Sequence, residues 1–241
     1  NWISWYTKND QYSKQKLSAD LETLRSFYLN QGFLEFNIES TQVALSPSKR
    51  DVFITVNVSE GEKYTVTDVR FAGDLLVPEE DLRSRLRIRK GDLFSRERLT
   101  ESTKLMTDRL ANEGYAFAQV NPVPEIDRVK REVAFTLYVD PGRRVYVRRI
   151  NIAGNTTTRD EVIRREFRQM EGGWYSQEKI NRTKVRVDRL GYFSEANVET
   201  PPVAGTPDQV DVNMTVKERP TGSISFGAGV SSAEKLILSA S

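Results

Sequence analysis

Residues 132–140 read E-V-A-F-T-L-Y-V-D, and apolar residues occupy every second position of this stretch. Strict alternation predicts a β-strand with one buried face. The residues on that face are Val133, Phe135, Leu137 and Val139. The same pattern occurs at 52–58 as V-F-I-T-V-N-V and at 210–216 as V-D-V-N-M-T-V, at a spacing of about 80 residues. The chain therefore contains a repeated strand.

Other landmarks keep the same spacing. A glycine followed by an aromatic residue precedes each strand, at 32–33, 114–115 and 191–192, and F-A-G-D at 71–74 matches I-A-G-N at 152–155. Agreement at so many positions predicts a tandem array of three units. We assign the units to residues 1–61, 62–141 and 142–219, followed by a distinct tail at 220–241.

The copy at 62–141 predicts the order β-α-α-β-β. The alternation slips by one residue between Val66 and Val69, which indicates a bulged first strand. Pro78 is expected to open a first helix that ends at Gly91, and Ser95 to cap a second helix that ends before Gly114.

Two further strands are expected in this copy at about 115–121 and 132–139, joined by a turn that contains Pro122 and Pro124. The predicted unit is an α+β domain, a three-stranded mixed sheet with two helices on one face. The first copy lacks its opening strand. Residues 1–11 are therefore expected to be the remnant of a first helix and its loop, in a piece of a longer array.

Composition excludes much catalytic chemistry. The 241 residues contain no histidine and no cysteine, which removes the usual nucleophilic triads, thiolate and imidazole metal sites and disulfides. Acidic pairs such as Glu79-Glu80 fall where a helix begins, and there they stabilise the helix dipole. We therefore expect no catalytic residues, no metal site and no cofactor.

Charge is concentrated in one region, although the net charge is only +2. Residues 143–168 contain eight arginines and three acidic residues. Such a cluster is either a solvated face or a docking surface for an acidic partner or for anionic lipid headgroups. The arginines are Arg143, Arg144, Arg148, Arg149, Arg159, Arg164, Arg165 and Arg168.

The tail changes in composition after Pro220. Residues 221–230 read T-G-S-I-S-F-G-A-G-V, with apolar residues alternating against serine and glycine, and the alternation resumes at 235–241 after an expected turn at 231–234. This pattern is typical of a lipid-facing strand of a membrane β-barrel. An ordinary amphipathic hairpin or a disordered tail would fit it as well.

A β-α-α-β order with basic patches also fits a tandem KH module that binds RNA. That module needs a GxxG loop between its helices. The corresponding segments are G-D-L-F at 91–94 and G-G-W-Y at 172–175, and neither contains the motif. We therefore expect no nucleic-acid partner.

The repeat order resembles the POTRA (polypeptide-transport-associated) repeats of the outer-membrane protein assembly factors, in which periplasmic repeats lead into a membrane β-barrel. The resemblance lies in D-L-E-T-L-R-S-F-Y-L at 20–29, F-N-I-E-S-T-Q-V at 36–43, R-R-E-F-R-Q-M-E-G at 164–172 and V-K-E-R-P-T-G-S-I-S-F-G-A-G-V at 216–230. The first three segments favour the assembly factors over related two-partner secretion or translocation-assembly transporters. The chain is then similar to the last three of five repeats, the first truncated, plus the start of the barrel.

This resemblance implies a non-catalytic scaffold of the outer membrane whose repeats lie in the periplasm. Unfolded barrel precursors would add as a strand to a sheet edge, with edges expected at 34–43, 116–121 and 194–199. The first edge is expected to use Leu34, Phe36, Asn37, Ile38 and Glu39. Accessory outer-membrane lipoproteins would dock on Arg164, Arg165, Arg168 and Glu171, which the helical spacing leaves outside the core when Ile163 and Phe167 point inward.

Overall fold

The computed structural model describes residues 3–45, 47, 52–220, 226–229 and 237–240. They form two compact units, one with the residues up to 111 and 117–142, the other with 112–116 and the residues from 143 onward. Within these ranges no helix is both long enough and apolar enough to cross a membrane.

The first repeat is a helix followed by an antiparallel hairpin. Its elements are α1 (Ile3–Asn30), β1 (Asn37–Leu45) and β2 (Val52–Ser59). The expectation of a helix remnant and a loop at 1–11 was wrong, because α1 runs without a break from Ile3. Residues 3–30 contain neither glycine nor proline, so nothing in the backbone interrupts the helix.

The second repeat is a mixed three-stranded sheet with two helices. Its elements are β3 (Thr65–Gly73), α2 (Glu79–Arg83), α3 (Arg96–Ala111), β4 (Gln119–Asp127) and β5 (Glu132–Asp140). The strand order is β3-β5-β4, with β3 parallel and β4 antiparallel to the central β5.

The third repeat has the same topology. Its elements are β6 (Tyr146–Ala153), α4 (Asp160–Arg164), α5 (Gln177–Arg189), β7 (Phe193–Glu199) and β8 (Gln209–Glu218), with strand order β6-β8-β7. A short antiparallel pair follows, β9 (Phe226–Gly229) and β10 (Ile237–Ala240). Ile224, Val230 and the expected turn at 231–234 lie outside the described residues.

The core of the second and third repeats is the one that the alternation predicts, whereas in the first repeat Val52 and Ile54 of the corresponding strand β2 are exposed. Val133, Phe135, Leu137 and Val139 of β5 are all buried, and so are Val210, Val212, Met214 and Val216 of β8. Leu82, Met106 and Leu110 from the helices are fully buried, as is Ile163, while Phe167 is 5% exposed. The predicted slip of the first strand is confirmed as a register shift between Val66 and Asp68, and it recurs between Val147 and Arg149.

The prediction for the strand before β5 was wrong in its bounds. Pro122 and Pro124 do not form a turn; they lie within β4, opposite Leu137 and Phe135. An edge strand tolerates proline when the missing N–H would have faced away from the sheet. The first helix is also shorter than expected, because α2 ends at Arg83 and Pro78 is the residue before it.

The turn after β6 brings the backbone of Gly154 against the central strand. Gly154 has a φ of 87°, and a Cβ at this position would overlap the carbonyl oxygen of Val216 in β8. Gly172 in the same repeat also has a positive φ, 73°, but a Cβ there would meet no atom within 4 Å. A comparison of the two positions therefore distinguishes the cost of a left-handed backbone from the cost of close packing.

Replacing Gly172 by alanine should lower the free energy of unfolding by about 1–2 kcal/mol, the cost of a left-handed backbone. Gly154→Ala should lower it by clearly more, because the Val216 carbonyl must also move. With Trp2 and Trp5 replaced by phenylalanine, Trp174 is the sole tryptophan, and urea unfolding can be followed by its fluorescence. Equal losses for the two variants would contradict the packing argument.

Glu218 at the end of β8 holds the loop that precedes α4. Its carboxylate accepts hydrogen bonds from the Thr158 N–H at 2.6 Å, the Thr156 hydroxyl at 2.8 Å and the Thr157 N–H at 3.1 Å. These donors, the Thr158 N–H foremost, lower the pKa of Glu218 from 4.5 to about 2. Its ionised form is therefore favoured in the folded state.

A carboxylate with a lowered folded-state pKa stabilises the fold above its unfolded pKa and loses this contribution as the pH falls. We therefore expect the stability difference between the natural chain and Glu218→Gln to be full above pH 4.5 and to shrink as the pH falls towards 2. Urea unfolding at a series of pH values measures it. The exposed Glu199, changed to glutamine, is the control, and a pH-independent difference for Glu218→Gln would refute the assignment.

Candidate functional site

The segment before β1 is anchored rather than free. Leu34 and Phe36 precede the strand, so only Asn37, Ile38 and Glu39 of the predicted edge residues belong to it. Phe36 is buried and stacks on Tyr28 with ring centroids 4.3 Å apart. Phe36 therefore helps to position the edge, and neither Leu34 nor Phe36 is part of it.

Glu35 in the same segment ties it to the second repeat. Its carboxylate accepts hydrogen bonds from Arg128 Nε and from the Tyr64 hydroxyl, both at 2.8 Å. The hydrogen bond from Arg128, followed by that from Tyr64, lowers the pKa of Glu35 below its usual value. The start of β1 is thus fixed within the first compact unit.

Buried and exposed positions alternate at the start of β1, but its pairing with β2 is not regular throughout. Ile38 is half-buried whereas Asn37 and Glu39 are exposed. The pairing with β2 shifts between Ile38 and Ser40, which leaves Glu39 as the extra residue of a bulge. From Ser40 to Leu45 the pairing is regular, and this longer part offers a straight edge.

The third repeat has a comparable edge in β7. This strand pairs with β8 on one side and contains no proline. A groove of about 360 Å³ runs between β7 and α5, with the buried Ile180 and the half-buried Val198 at its base. Its polar lining residues are Gln177, Asn181, Lys184, Asn197 and Glu199.

The opposite edge of this sheet, β6, is covered by its own chain. The N–H of Val147 donates to the Gly173 carbonyl at 2.9 Å, and the Val147 carbonyl accepts from the Gly172 N–H at 2.7 Å. The Val145 carbonyl accepts from the Tyr175 N–H at 3.1 Å. The segment 172–175 therefore satisfies the first part of this edge.

Glu171 and Arg164 bond the next outward backbone groups of β6, beyond the bulge between Val147 and Arg149. The N–H of Ile150 donates to Glu171 Oε1 at 2.7 Å, and Arg164 Nη2 donates to the Ile150 carbonyl at 3.3 Å. The two side chains lie 3.9 Å apart, and Arg164 also pairs with Asp160 at 2.8 Å. Two of the predicted docking residues thus serve the backbone of β6.

The other two predicted docking residues lie apart from this pair. Arg165 has a side chain that is 66% exposed, lies 3.6 Å from Glu166 and lines a cleft of about 570 Å³ with Tyr192 and Arg219. Arg168 is exposed, and its N–H donates to the Thr183 hydroxyl at 2.9 Å. All four residues are on the outside, as predicted, but they do not form one cluster.

Two arginines of the arginine-rich stretch are held by neighbouring groups. Arg148 forms a two-point ion pair with Asp211, whose pKa it lowers through a hydrogen bond. Arg144 lies 4.2 Å from the ring centroid of Trp174 and donates to the Glu113 carbonyl at 2.7 Å. The ion pair with Asp211 offsets one positive charge of the stretch, whereas the contacts of Arg144 leave its charge in place.

Two asparagines were missed at the sequence level. Asn30 Oδ1 accepts from the Glu97 N–H at 2.9 Å in the first turn of α3, and Asn112 Oδ1 accepts from the Glu178 N–H at 2.7 Å in the first turn of α5. Each asparagine stands two residues before the glycine of its repeat, at Gly32 and Gly114. The shared spacing was the available signal.

Comparison with known proteins agrees with the repeat structure. The POTRA family, described as a surface antigen variable number repeat, matches residues 2–61, 64–142 and 145–219. A crystal structure of Haemophilus influenzae BamA POTRA3-5 is 35% identical, with a TM-score of 0.78, and the match covers 84% of this chain and 80% of that one. BamA from Haemophilus ducreyi lacking POTRA domains 1-3 is also 35% identical, with a TM-score of 0.56, over 73% of this chain and 34% of that one.

Among curated proteins, the outer membrane protein assembly factor BamA of Neisseria meningitidis is 37% identical over 98% of this chain and 30% of its own length. The BamA of Buchnera aphidicola is 32% identical over 95% of this chain and 37% of its own length. The chain thus spans about a third of the curated relatives that it matches. With the family matching most of its residues and the fold matching BamA POTRA3-5, the chain belongs to the POTRA family.

Proposed function

We propose that this chain is part of a periplasmic scaffold for outer-membrane protein assembly, which binds unfolded barrel precursors by strand addition. The observation that carries the proposal is that β1 and β7 are edge strands without proline. The similarity to BamA supports it. In this proposal the repeats are 1–61, 62–141 and 142–219.

Strand addition suits a scaffold with many clients. The free N–H and C=O groups of an edge strand bind any extended segment, so affinity comes from the backbone rather than from a particular sequence. Residues Asn37–Leu45 offer such groups beside an anchored segment. The precursor is expected to pair there as an additional strand, with Ile38 on its packed side and Asn37 and Glu39 on its wet side.

Accessory outer-membrane lipoproteins are the second proposed class of partner. Arg164, Arg165, Arg168 and Glu171 present both signs of charge on exposed side chains, and a partner with complementary charges would recognise them. Residues 220–241 are proposed to start the outer-membrane barrel, which places the repeats at the periplasmic side. We assign no catalytic role, cofactor or nucleic-acid partner.

Proline at Asn37 or at Glu39 should weaken precursor binding at β1. Each removes one backbone donor near the start of the strand, and Glu39 is the bulged residue, whose loss of an N–H disturbs the pairing with β2 least. We expect crosslinking of an unfolded barrel protein to β1 to fall by roughly three- to tenfold, the size of one hydrogen bond.

Alanine at the same two positions is the matched control, because it removes the side chain and keeps the N–H. Circular dichroism establishes that each variant is folded. Undiminished crosslinking in folded Asn37→Pro and Glu39→Pro would exclude this end of β1 from the binding site.

Charge reversal should separate docking from folding. Arg165→Glu and Arg168→Glu alter side chains that do not hold the β6 backbone, so the repeat should stay folded. An exposed ion pair contributes about 0–1 kcal/mol, whereas breaking a desolvated pair in an interface costs roughly 2–5 kcal/mol. Co-purification of accessory lipoproteins should therefore be lost.

Glu171 and Arg164 need a subtler comparison because of their bonds to Ile150. Glu171→Gln keeps an oxygen for the Ile150 N–H and removes the charge, while Glu171→Lys removes both; Arg164→Glu likewise removes the donor to the Ile150 carbonyl. Docking predicts that both Glu171 variants lose the partner. Full retention of the lipoproteins by all of the charge-reversal variants would leave the four residues as a solvated face.

A further inference from the structure

Strand addition requires an edge with several successive outward-facing backbone groups that are free. In a strand, alternate residues direct their N–H and C=O groups to opposite sides. A residue whose outward groups are already bonded, or that lacks an N–H, interrupts the template. Each complete sheet of this chain has two edges, and they can be compared group by group.

The β3 edge of the second repeat is occupied by its own chain, as β6 is in the third repeat. The Val66 N–H donates to the Asp92 carbonyl at 2.8 Å, the Val66 carbonyl accepts from the Gly91 N–H at 2.7 Å, and the Tyr64 carbonyl accepts from the Phe94 N–H at 2.9 Å.

Side chains close the next outward position of β3. The N–H of Val69 donates to Asp68 Oδ1 at 2.9 Å, and Arg83 Nη1 donates to the Val69 carbonyl at 3.4 Å. Arg70 hydrogen-bonds Asp68 as well and is the main cause that lowers the pKa of this carboxyl, with a smaller contribution from the Val69 N–H. Only the last few residues of β3 remain open, too short a stretch for a stable pairing.

The β4 edge of the same sheet is interrupted by proline. Pro122 and Pro124 pair with Leu137 and Phe135 in an unbroken antiparallel register, so their nitrogens must face away from β5. The outward-facing positions of β4 are then Val120, Pro122, Pro124 and Ile126. Two successive donors of the four are missing at the centre of the strand.

The outward backbone groups of β7 differ from those of β4. β7 occupies the same place in its sheet as β4, pairs antiparallel with the central strand and packs beside the second helix of its repeat. Its seven residues include no proline, and no other described segment hydrogen-bonds its outward backbone groups. β1 has the same two properties over its described length.

We infer that the second repeat is closed to strand addition at both edges, and that extended precursor segments bind this chain at β1 and β7 rather than at the second repeat. Pro122 and Pro124 are the residues that decide it on the β4 side. The inference rests on the proposed strand-binding function and specifies where that function operates. The second repeat then separates the two binding strands along the sequence.

Photo-crosslinking of the 241-residue chain tests the inference. Benzoylphenylalanine replaces Gln42 in β1, Val123 in β4 or Asn197 in β7, one position at a time, and the probe is a urea-unfolded outer-membrane β-barrel protein diluted onto the chain. All three positions are exposed. We expect strong crosslinking at Gln42 and Asn197, and crosslinking at Val123 that is roughly tenfold weaker, the size of two lost hydrogen bonds.

Restoring the two donors should open the β4 edge. In Pro122→Thr/Pro124→Thr, crosslinking at Val123 should rise to the level at Asn197. Pro201→Thr/Pro207→Thr removes two prolines from the loop after β7 and is the matched control, expected to leave Val123 unchanged. Circular dichroism reports folding, and the single variant Pro122→Thr replaces the double one if that is unfolded.

The outcomes are distinct for the two claims. Strong crosslinking at Val123 with both prolines in place overturns the inference and leaves strand binding intact. So does crosslinking at Val123 that stays weak after the prolines are removed from a folded chain, while Asn197 still crosslinks. Absence of crosslinking at all three positions overturns the proposed strand-binding function itself.

Discussion

Backbone polar groups that cannot pair within a sheet must find water, another part of the chain or a partner molecule. In a three-stranded sheet only the central strand pairs on both sides. Each of the two outer strands therefore has one side whose backbone groups find no partner within the sheet. The first strand meets this constraint internally: the segments 91–94 and 172–175 pair with the starts of β3 and β6. The glycines at 91 and 172 both have positive φ and let these segments turn back onto the strand.

The same constraint gives a physical meaning to residues that otherwise look like surface charges. Arg83 and Arg164 are the last residues of α2 and α4. Each donates a hydrogen bond to a backbone carbonyl just beyond the bulge of the first strand, that of Val69 in one repeat and that of Ile150 in the other. The acid that accepts the matching N–H comes from the strand itself in one repeat, as Asp68, and from the loop in the other, as Glu171. One geometric requirement is therefore met by two different sequence solutions.

These bonds bear on how the proposed docking surface is understood. Glu171 and Arg164 are exposed and charged, yet they are also held in fixed orientation by the Ile150 backbone. Charged groups that are held in advance lose less entropy when a partner binds, so a structural role and a docking role reinforce each other. Arg165 and Arg168 lack this restraint and present their charge on freer side chains.

The sequence by itself determined the repeat, the β-α-α-β-β order, the bulge of the first strand and the buried residues of the second and third repeats, because hydrophobic periodicity and turn glycines are local signals. It did not predict that Val52 and Ile54 of β2 are exposed. It did not determine the bounds of β4, since Pro122 and Pro124 usually mark turns and become strand residues only when the sheet leaves their nitrogens on a free edge. Nor could it assign Arg164 and Glu171 to the Ile150 backbone or Glu35 to Tyr64 and Arg128, because these partners are distant in sequence. Local pattern fixes which residues face the core, and only the tertiary structure decides which backbone groups are left for a partner.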